Sequence, residues 1–173
     1  MTEKQEKILN TALKLFAENG YDSTSTSKVA KAAGVSEGLI FRHYTNKEGL
    51  LSAIMEQGKQ SALSMYKYIL EQQDPKSVIR GIIKLPFTLS EEHYNFWKLL
   101  YALKWQADVY DHSISAPVKE ALINAFTKLN AEDPDAEAEG VLLLIDGIAT
   151  SVLLRRPENK QAILQTILKK YNV

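Results

Sequence analysis

Apolar residues recur at the three- and four-residue spacing of an α-helix along almost the whole chain, and no stretch alternates long enough to make a strand. Ile8, Ala12, Leu15 and Phe16, widened by Leu9 and Leu13, form the first stripe. Thr2 with Gln5 three residues later is a capping box that starts it, and Asn19-Gly20 stops it. Val29, Ala30 and Ala33 make the small apolar face of a short helix capped by Ser25, and Ile40 with Tyr44 turns inward on another capped by Ser36. Gly34 sits between the two, able to take the left-handed conformation that ends a helix. Three helices around Ile8, Leu15, Phe16, Val29, Val35, Ile40 and Tyr44 are expected to enclose a small core of their own.

Asn46 caps a further helix that opens at Lys47 and continues to about Gln73, a length of ~40 Å at 1.5 Å per residue. Leu50, Leu51, Ile54, Met55, Gly58, Ala62, Met65, Tyr66 and Ile69 share its broad face. Asp74-Pro75 starts the next helix, which Pro86 interrupts. Ser90 caps a largely buried segment to about Ala107, with Asn95, Lys98, Ala102 and Gln106 as its solvated strip. A loop over 111–115 leads to a helix with Pro117 in its first turn. Asp133-Pro134 opens a helix to Arg156 that is apolar nearly all round, so it must be covered on both sides. Pro157 breaks it, and a last helix carries Ile163, Leu164, Ile167, Leu168 and Tyr171. The expected fold is all-α with about nine helices, divided at 1–46 and 47–173.

Composition narrows this picture. The chain has 173 residues, enough for a core without staples, and no Cys, hence no disulfide or thiolate metal site. No apolar run approaches ~18 residues and the start is polar, so no membrane contact is expected and the location read is the cytoplasm. Basic and acidic side chains balance at 21 each, and residues 1–50 hold seven basic against six acidic. Bulk charge therefore does not argue for nucleic acid; only its placement can.

The two short helices either side of Gly34 have the spacing of a helix-turn-helix, whose second helix enters the DNA major groove. Over roughly Ile8 to Leu51 the chain resembles the tetracycline-repressor (TetR-like) family of bacterial transcription regulators. The residues that carry the likeness are the Ala-Lys-Ala-Ala-Gly-Val-Ser run, Leu-Ile-Phe-Arg-His-Tyr, and the Asn-Lys-Glu-Gly-Leu-Leu start of the long helix. Beyond that the likeness is one of helix count and order. It implies that Thr26 meets a phosphate, that Ser27 can meet a base and that His43 lies at a position often touching phosphate. Where the family usually has a Tyr whose hydroxyl reaches phosphate, this chain has Phe41, which can only pack or touch a thymine methyl group.

From the residues themselves, Lys47 at a helix N-terminus opposes the helix dipole, which makes sense if lysine and dipole together hold a phosphate. With Ile40 and Tyr44 inward, Ser36, Glu37, Gly38, Leu39, Phe41, Arg42 and His43 are expected to be free for DNA. Glu37 suits a cytosine amino group, and Arg42 a guanine or a phosphate. Gly38 is either drift or a device for close approach to the groove floor, and His43 either meets DNA or caps its own core.

Tyr94, Trp97, Tyr101 and Trp105 form one aromatic stripe, which is either core or the wall of a pocket for a small apolar or aromatic effector. Such a pocket is implied by the family; Tyr66, Phe87 and His93 are further candidate walls. Asp146, in the most apolar helix, is read as a buried structural carboxylate, with a dimer contact and an effector ligand as alternatives. Gly140, Gly147 and Ser151 share a face that lets another helix approach; with Leu143, Leu154, Ile163, Ile167 and Tyr171 they are the expected homodimer interface. The histidines are isolated, Asp108, Asp111 and His112 make a weak cluster, and no catalytic motif appears, so no enzyme activity, metal or cofactor is expected. The resulting expectation is a ligand-responsive regulator, a repressor by preference, binding a palindromic double-stranded operator as a dimer. A helical interaction module that no longer reads sequence is the alternative, with a small α-helical enzyme behind it.

Overall fold

The computed structural model describes residues 1–104 and 114–173, without the side chains of 91 and 92. Among these residues there are nine α-helices and no strand: α1 (Glu3–Asn19), α2 (Thr26–Ala33), α3 (Glu37–Tyr44), α4 (Lys47–Leu70), α5 (Pro75–Lys84), α6 (Glu91–Leu103), α7 (Ala116–Lys128), α8 (Pro134–Arg155) and α9 (Lys160–Lys170), with a 3-10 turn at Leu85–Phe87. Among them, no helix is long and apolar enough to cross a membrane. Trp105, Gln106, Asp108, Asp111 and His112, together with the expected helix end near Ala107 and most of the 111–115 loop, lie outside the described residues.

The caps follow from local chemistry. Thr2 and Gln5 make a reciprocal capping box on α1; Ser25 Oγ accepts from Lys28 N at 3.2 Å and Ser36 Oγ from Leu39 N at 3.3 Å. Gly34 closes α2 in the left-handed conformation, φ 67° and ψ 37°. Asn46 Oδ1 accepts from Gly49 N at 2.7 Å and opens α4.

Two compact units emerge. The first holds Met1–Gln60 and α6; the second holds Ser61–Ser90 and the described residues from Ile114 onward. The three N-terminal helices do not keep a core to themselves. Ile8, Leu9, Phe16, Val29, Ala33 and Ile40 merge with Leu50, Leu51 and Ile54 of α4 and with Leu99 and Leu103 of α6. The reason is the width of the α1 stripe, which α2 and α3 are too short to cover, so α6 packs along α1. In the second unit α7 packs on α8 and on α5.

Asp146 corrects one expectation: it is exposed. Among the described residues, α8 is buried on one side, through Ala138, Val141, Ile148, Ala149 and Leu153. The opposite side carries Asp146 together with Leu143 and Leu154, which are 66% and 72% exposed.

Gly58 is buried in α4, and a Cβ there would enter the ring of Phe96 on α6. Gly58→Ala should therefore lower stability by about 1–3 kcal/mol, the usual cost of overpacking. A urea unfolding midpoint equal to that of the parent would show that the ring can swing aside.

Candidate nucleic-acid interface

The interface is built on α2 and α3, and three contacts set the position of α3. Tyr44 Oη donates to the Gln5 carbonyl at 3.1 Å, and burial raises its pKa above the ordinary phenol value. Gln5 Nε2 lies 3.3 Å from His43 Nδ1. An amide nitrogen can only donate, so Nδ1 accepts, and a neutral imidazole carries its proton on Nε2. Gln5 thereby caps α1 and anchors the last turn of α3 together. His43 is half-buried and held by its own fold, one of the two readings left open above, while keeping an N–H to offer elsewhere.

The exit from α3 is a sharp corner. Asn46 N donates back to the Tyr44 carbonyl at 2.7 Å across Thr45, whose φ of 66° and ψ of −50° are those of a strained γ-turn. A positive φ is unusual for a β-branched residue. A Cβ at Gly49 would land on the same Tyr44 carbonyl oxygen, which restricts that position to glycine.

The outward face holds the expected residues with two changes. Ser36, Gly38, Phe41 and Arg42 are exposed, Phe41 at 46%. No atom lies within 4 Å of a Cβ placed at Gly38, so its missing side chain opens the surface rather than relieving a clash. Leu39 is not free: it is half-buried against the core, because α3 needs a second apolar residue beside Ile40 to seat on its neighbours. Glu37 is not free either. Its carboxylate accepts from Thr26 Oγ1 at 2.6 Å, joining the first residues of the two helices, while Ser27 next to it is exposed.

Lys47 is half-buried. Its Nζ donates to the Asp22 carbonyl at 3.3 Å and lies 4.2 Å from the centre of the Tyr21 ring, a cation–π contact. That ring packs edge-on against Phe16 at 5.1 Å. Burial, then the charges of Glu48 and Asp22, raises the Tyr21 pKa. Tyr21 and Gly49 were not singled out from the sequence, and Gln5 only as a helix cap. Gln5 announces its cap but not its second bond, and nothing local signals the other two.

The remaining candidates divide between the units. His93, Trp97 and Tyr101 are half-buried on α6 in the first, where Phe96, Leu99, Leu100 and Leu103 make the buried side of the helix. Tyr66 and Phe87 are buried in the second. Phe87 lines an open groove of about 350 Å³ with Leu143, Gly147, Ser151 and Ile163, so the structure places it among the expected interface residues. Gly140 and Gly147 have no atom within 4 Å of a Cβ position, Leu143 and Leu154 are exposed, and Ile163, Ile167 and Tyr171 are half-buried.

A capped helix, a left-handed glycine turn and a second helix with an open outer face define a helix-turn-helix. The chain matches, over residues 8–54, the family described as bacterial regulatory proteins, tetR family. It is 40% identical over 97 residues to the HTH-type transcriptional regulator AcrR of Shigella flexneri, covering 52% of this chain and 44% of that one. Over 103 residues it is 32% identical to YerO of Bacillus subtilis, an uncharacterized HTH-type transcriptional regulator, covering 58% and 36%. The matches thus span less than half the length of these curated relatives. The fold is shared with the transcriptional regulator FadR of Bacillus subtilis, solved in complex with stearoyl-CoA, at a TM-score of 0.74 and 23% identity over 95% of both chains.

The corner between α3 and α4 is testable without DNA. Gly49→Ala should lower the unfolding midpoint, because Tyr44's carbonyl must move. Thr45→Gly should not, since glycine takes positive φ freely. Equal losses in both variants would show that the corner is looser than its geometry.

Proposed function

We infer that this protein is a ligand-responsive DNA-binding transcriptional regulator of the cytoplasm, acting as a homodimer on a palindromic operator, with repression as its mode. The observation that carries the reading is the outward face of α3, where Ser36, Gly38, Phe41 and Arg42 are exposed on a helix seated by Ile40, Leu39 and Tyr44. Residues 1–46 are the DNA-reading part and 47–173 the part that binds effector and dimerises. Arg42 and Ser36 reach the groove; Ser27 and Thr26 line the adjoining backbone, and His43 offers Nε2–H to a phosphate. The Thr26–Glu37 bond holds a carboxylate at the groove edge, where it rewards a cytosine amino group and repels a misplaced phosphate. Lys47, steadied by Tyr21 and Asp22, adds its charge to the α4 N-terminus as a phosphate site.

Tyr66, Phe87, His93, Trp97, Tyr101 and Trp105 are the candidate contacts of a small apolar or aromatic effector, and the stearoyl-CoA held by FadR is consistent with an apolar one. The dimer uses α8 and α9, through Gly140, Leu143, Gly147, Ser151, Leu154, Ile163, Ile167 and Tyr171. Exposed leucines on an otherwise apolar face support that surface.

The test is a salt titration of duplex binding, with sites selected from random duplexes against scrambled ones. Specific binding should fall steeply with salt, and Lys47→Ala should weaken every duplex while lowering the slope by about one unit. Glu37→Ala should instead change the preference among sequences. Equal affinity for selected and scrambled duplexes would favour the interaction-module reading and sink this one.

A further inference from the structure

Every polar group of Gln5 is engaged, and its bonds divide evenly between two helices. Toward α1, its backbone N donates to Thr2 Oγ1 at 3.3 Å and its Oε1 accepts from Thr2 N at 2.8 Å. Toward α3, its carbonyl accepts from Tyr44 Oη at 3.1 Å and its Nε2 lies 3.3 Å from His43 Nδ1. These four bonds leave the side-chain amide no choice of orientation. Thr2 N is a donor, so it must face Oε1, and Nε2 is then the atom left for the imidazole. Turning the amide over would set two donors against each other at Thr2 and undo the capping box of α1.

The consequence falls on the far side of the imidazole ring. With Nδ1 accepting, the proton of the neutral ring sits on Nε2. Among the described residues Nε2 has no protein partner, and Tyr21 Oη is the only buried side-chain nitrogen or oxygen so placed, so Nε2 is open to solvent. It stands in the last turn of α3, where the neighbouring ring is that of Tyr44, 6.2 Å away between centroids. A phosphate oxygen only accepts. It can meet a ring that turns an N–H outward, and it is repelled by the lone pair of a ring that turns a bare nitrogen outward. Which of the two His43 presents is decided on α1, 38 positions away in the chain.

We propose that Gln5 is a positioning residue for the DNA-binding face: it holds His43 as the tautomer that offers Nε2–H to a phosphate of the duplex. The first turn of α1 thus sets the chemistry of the last turn of α3 and need not touch the duplex itself. Thr2 belongs to the same device, since its backbone N–H is what orients the amide. The proposal rests on the DNA-binding reading above and adds the residue that makes His43 a donor.

Gln5→Glu isolates this role. A carboxylate there still completes the capping box and suits a helix N-terminus, so the urea unfolding midpoint should match the parent. Toward His43, however, it can only accept, which draws the ring proton onto Nδ1 and leaves Nε2 bare. The tautomer is read without DNA, from long-range proton–nitrogen correlations of histidine-labelled protein at pH 8.5, about two units above the ordinary imidazole value. The chain has three histidines, and His43→Ala identifies the signal by removing it. The parent should show the proton on Nε2 and Gln5→Glu should show it on Nδ1. A parent ring protonated on Nδ1 overturns the proposal, whether or not any variant folds. At the same pH, Gln5→Glu should weaken binding to a selected duplex about tenfold or more, the worth of a hydrogen bond to a charged group. The added charge also opposes DNA, so the comparison is repeated on His43→Ala, where Gln5→Glu should cost less than about threefold. Equal losses in the two backgrounds overturn the proposal and leave the effect to charge. Failure of the reading beneath it looks different. Equal affinity of the parent for selected and scrambled duplexes removes the regulator reading, while the tautomer and the paired losses still judge Gln5 on whichever duplex is bound, because phosphates carry no sequence.

Discussion

The joint between α3 and α4 is the constraint on which the face proposed to read DNA depends. Three backbone features converge on one carbonyl, that of Tyr44: Asn46 N bonds to it, Thr45 accepts a strained conformation to allow that bond, and Gly49 leaves room beside it. Strain of this kind, of order 1–3 kcal/mol, persists only where the surroundings over-determine it. Here the surroundings are the Asn46 cap on one side and the Tyr44–Gln5 and His43–Gln5 bonds on the other. The outcome is a recognition helix with no free hinge at its C-terminal end. Its direction follows the first turns of α4.

That rigidity continues through the core. Leu50, Leu51 and Ile54 sit in the same apolar cluster as Ile8, Phe16 and Ile40, and α6 closes it with Leu99 and Leu103. Densely packed side chains do not deform continuously, so a displacement of α4 or α6 within this unit is passed to α3 rather than absorbed. Gly58 lets the Phe96 ring of α6 lie where a side chain on α4 would otherwise stand. In the regulator proposed above, an effector that prefers one position of α6 or α4 would have a coupling free energy with DNA binding without touching α2 or α3.

What could be read in advance follows from the range of each interaction. The caps at Thr2, Ser25, Ser36 and Asn46 bond within three residues of themselves, and Gly34 acts through its own φ, so each is visible in a short window. The outward exposure of Phe41 and Arg42 follows from the same periodicity that turns Ile40 inward. The bonds Thr26–Glu37, Gln5–His43 and Lys47–Asp22 join residues 11, 38 and 25 positions apart, and no local pattern announces them. The reasons for glycine at 49 and 58 lie on Tyr44 and Phe96, and no short window around Gly58 shows its own. Asp146 was read as a buried carboxylate because its helix is apolar nearly all round, whereas the described residues bury one side of α8 and leave Asp146 exposed.

That half-covered helix explains why composition alone was a poor guide to assembly. Any apolar face can bind another; what selects one arrangement is the penalty on the rest. In an antiparallel α8 pair that sets Leu143 against the partner's Gly147, sliding one helix by a heptad, about two turns, sets Leu143 against the partner's Leu154, two large side chains in one layer, while Gly147 faces the partner's Thr150 and the space beside it stays unfilled. Sliding it a heptad the other way sets Ala136 against the partner's Gly147, two small residues in one layer, and takes Thr150 and Leu154 off the seam. Both slips convert filled layers into clash or void, each costing on the order of 1–3 kcal/mol per layer, and two-fold symmetry counts most layers twice. Glycine, the weakest helix former on that face, is thus placed where it discriminates most between registers. The helix propensity it gives up, about 1 kcal/mol per residue, is smaller than the misregister it prevents.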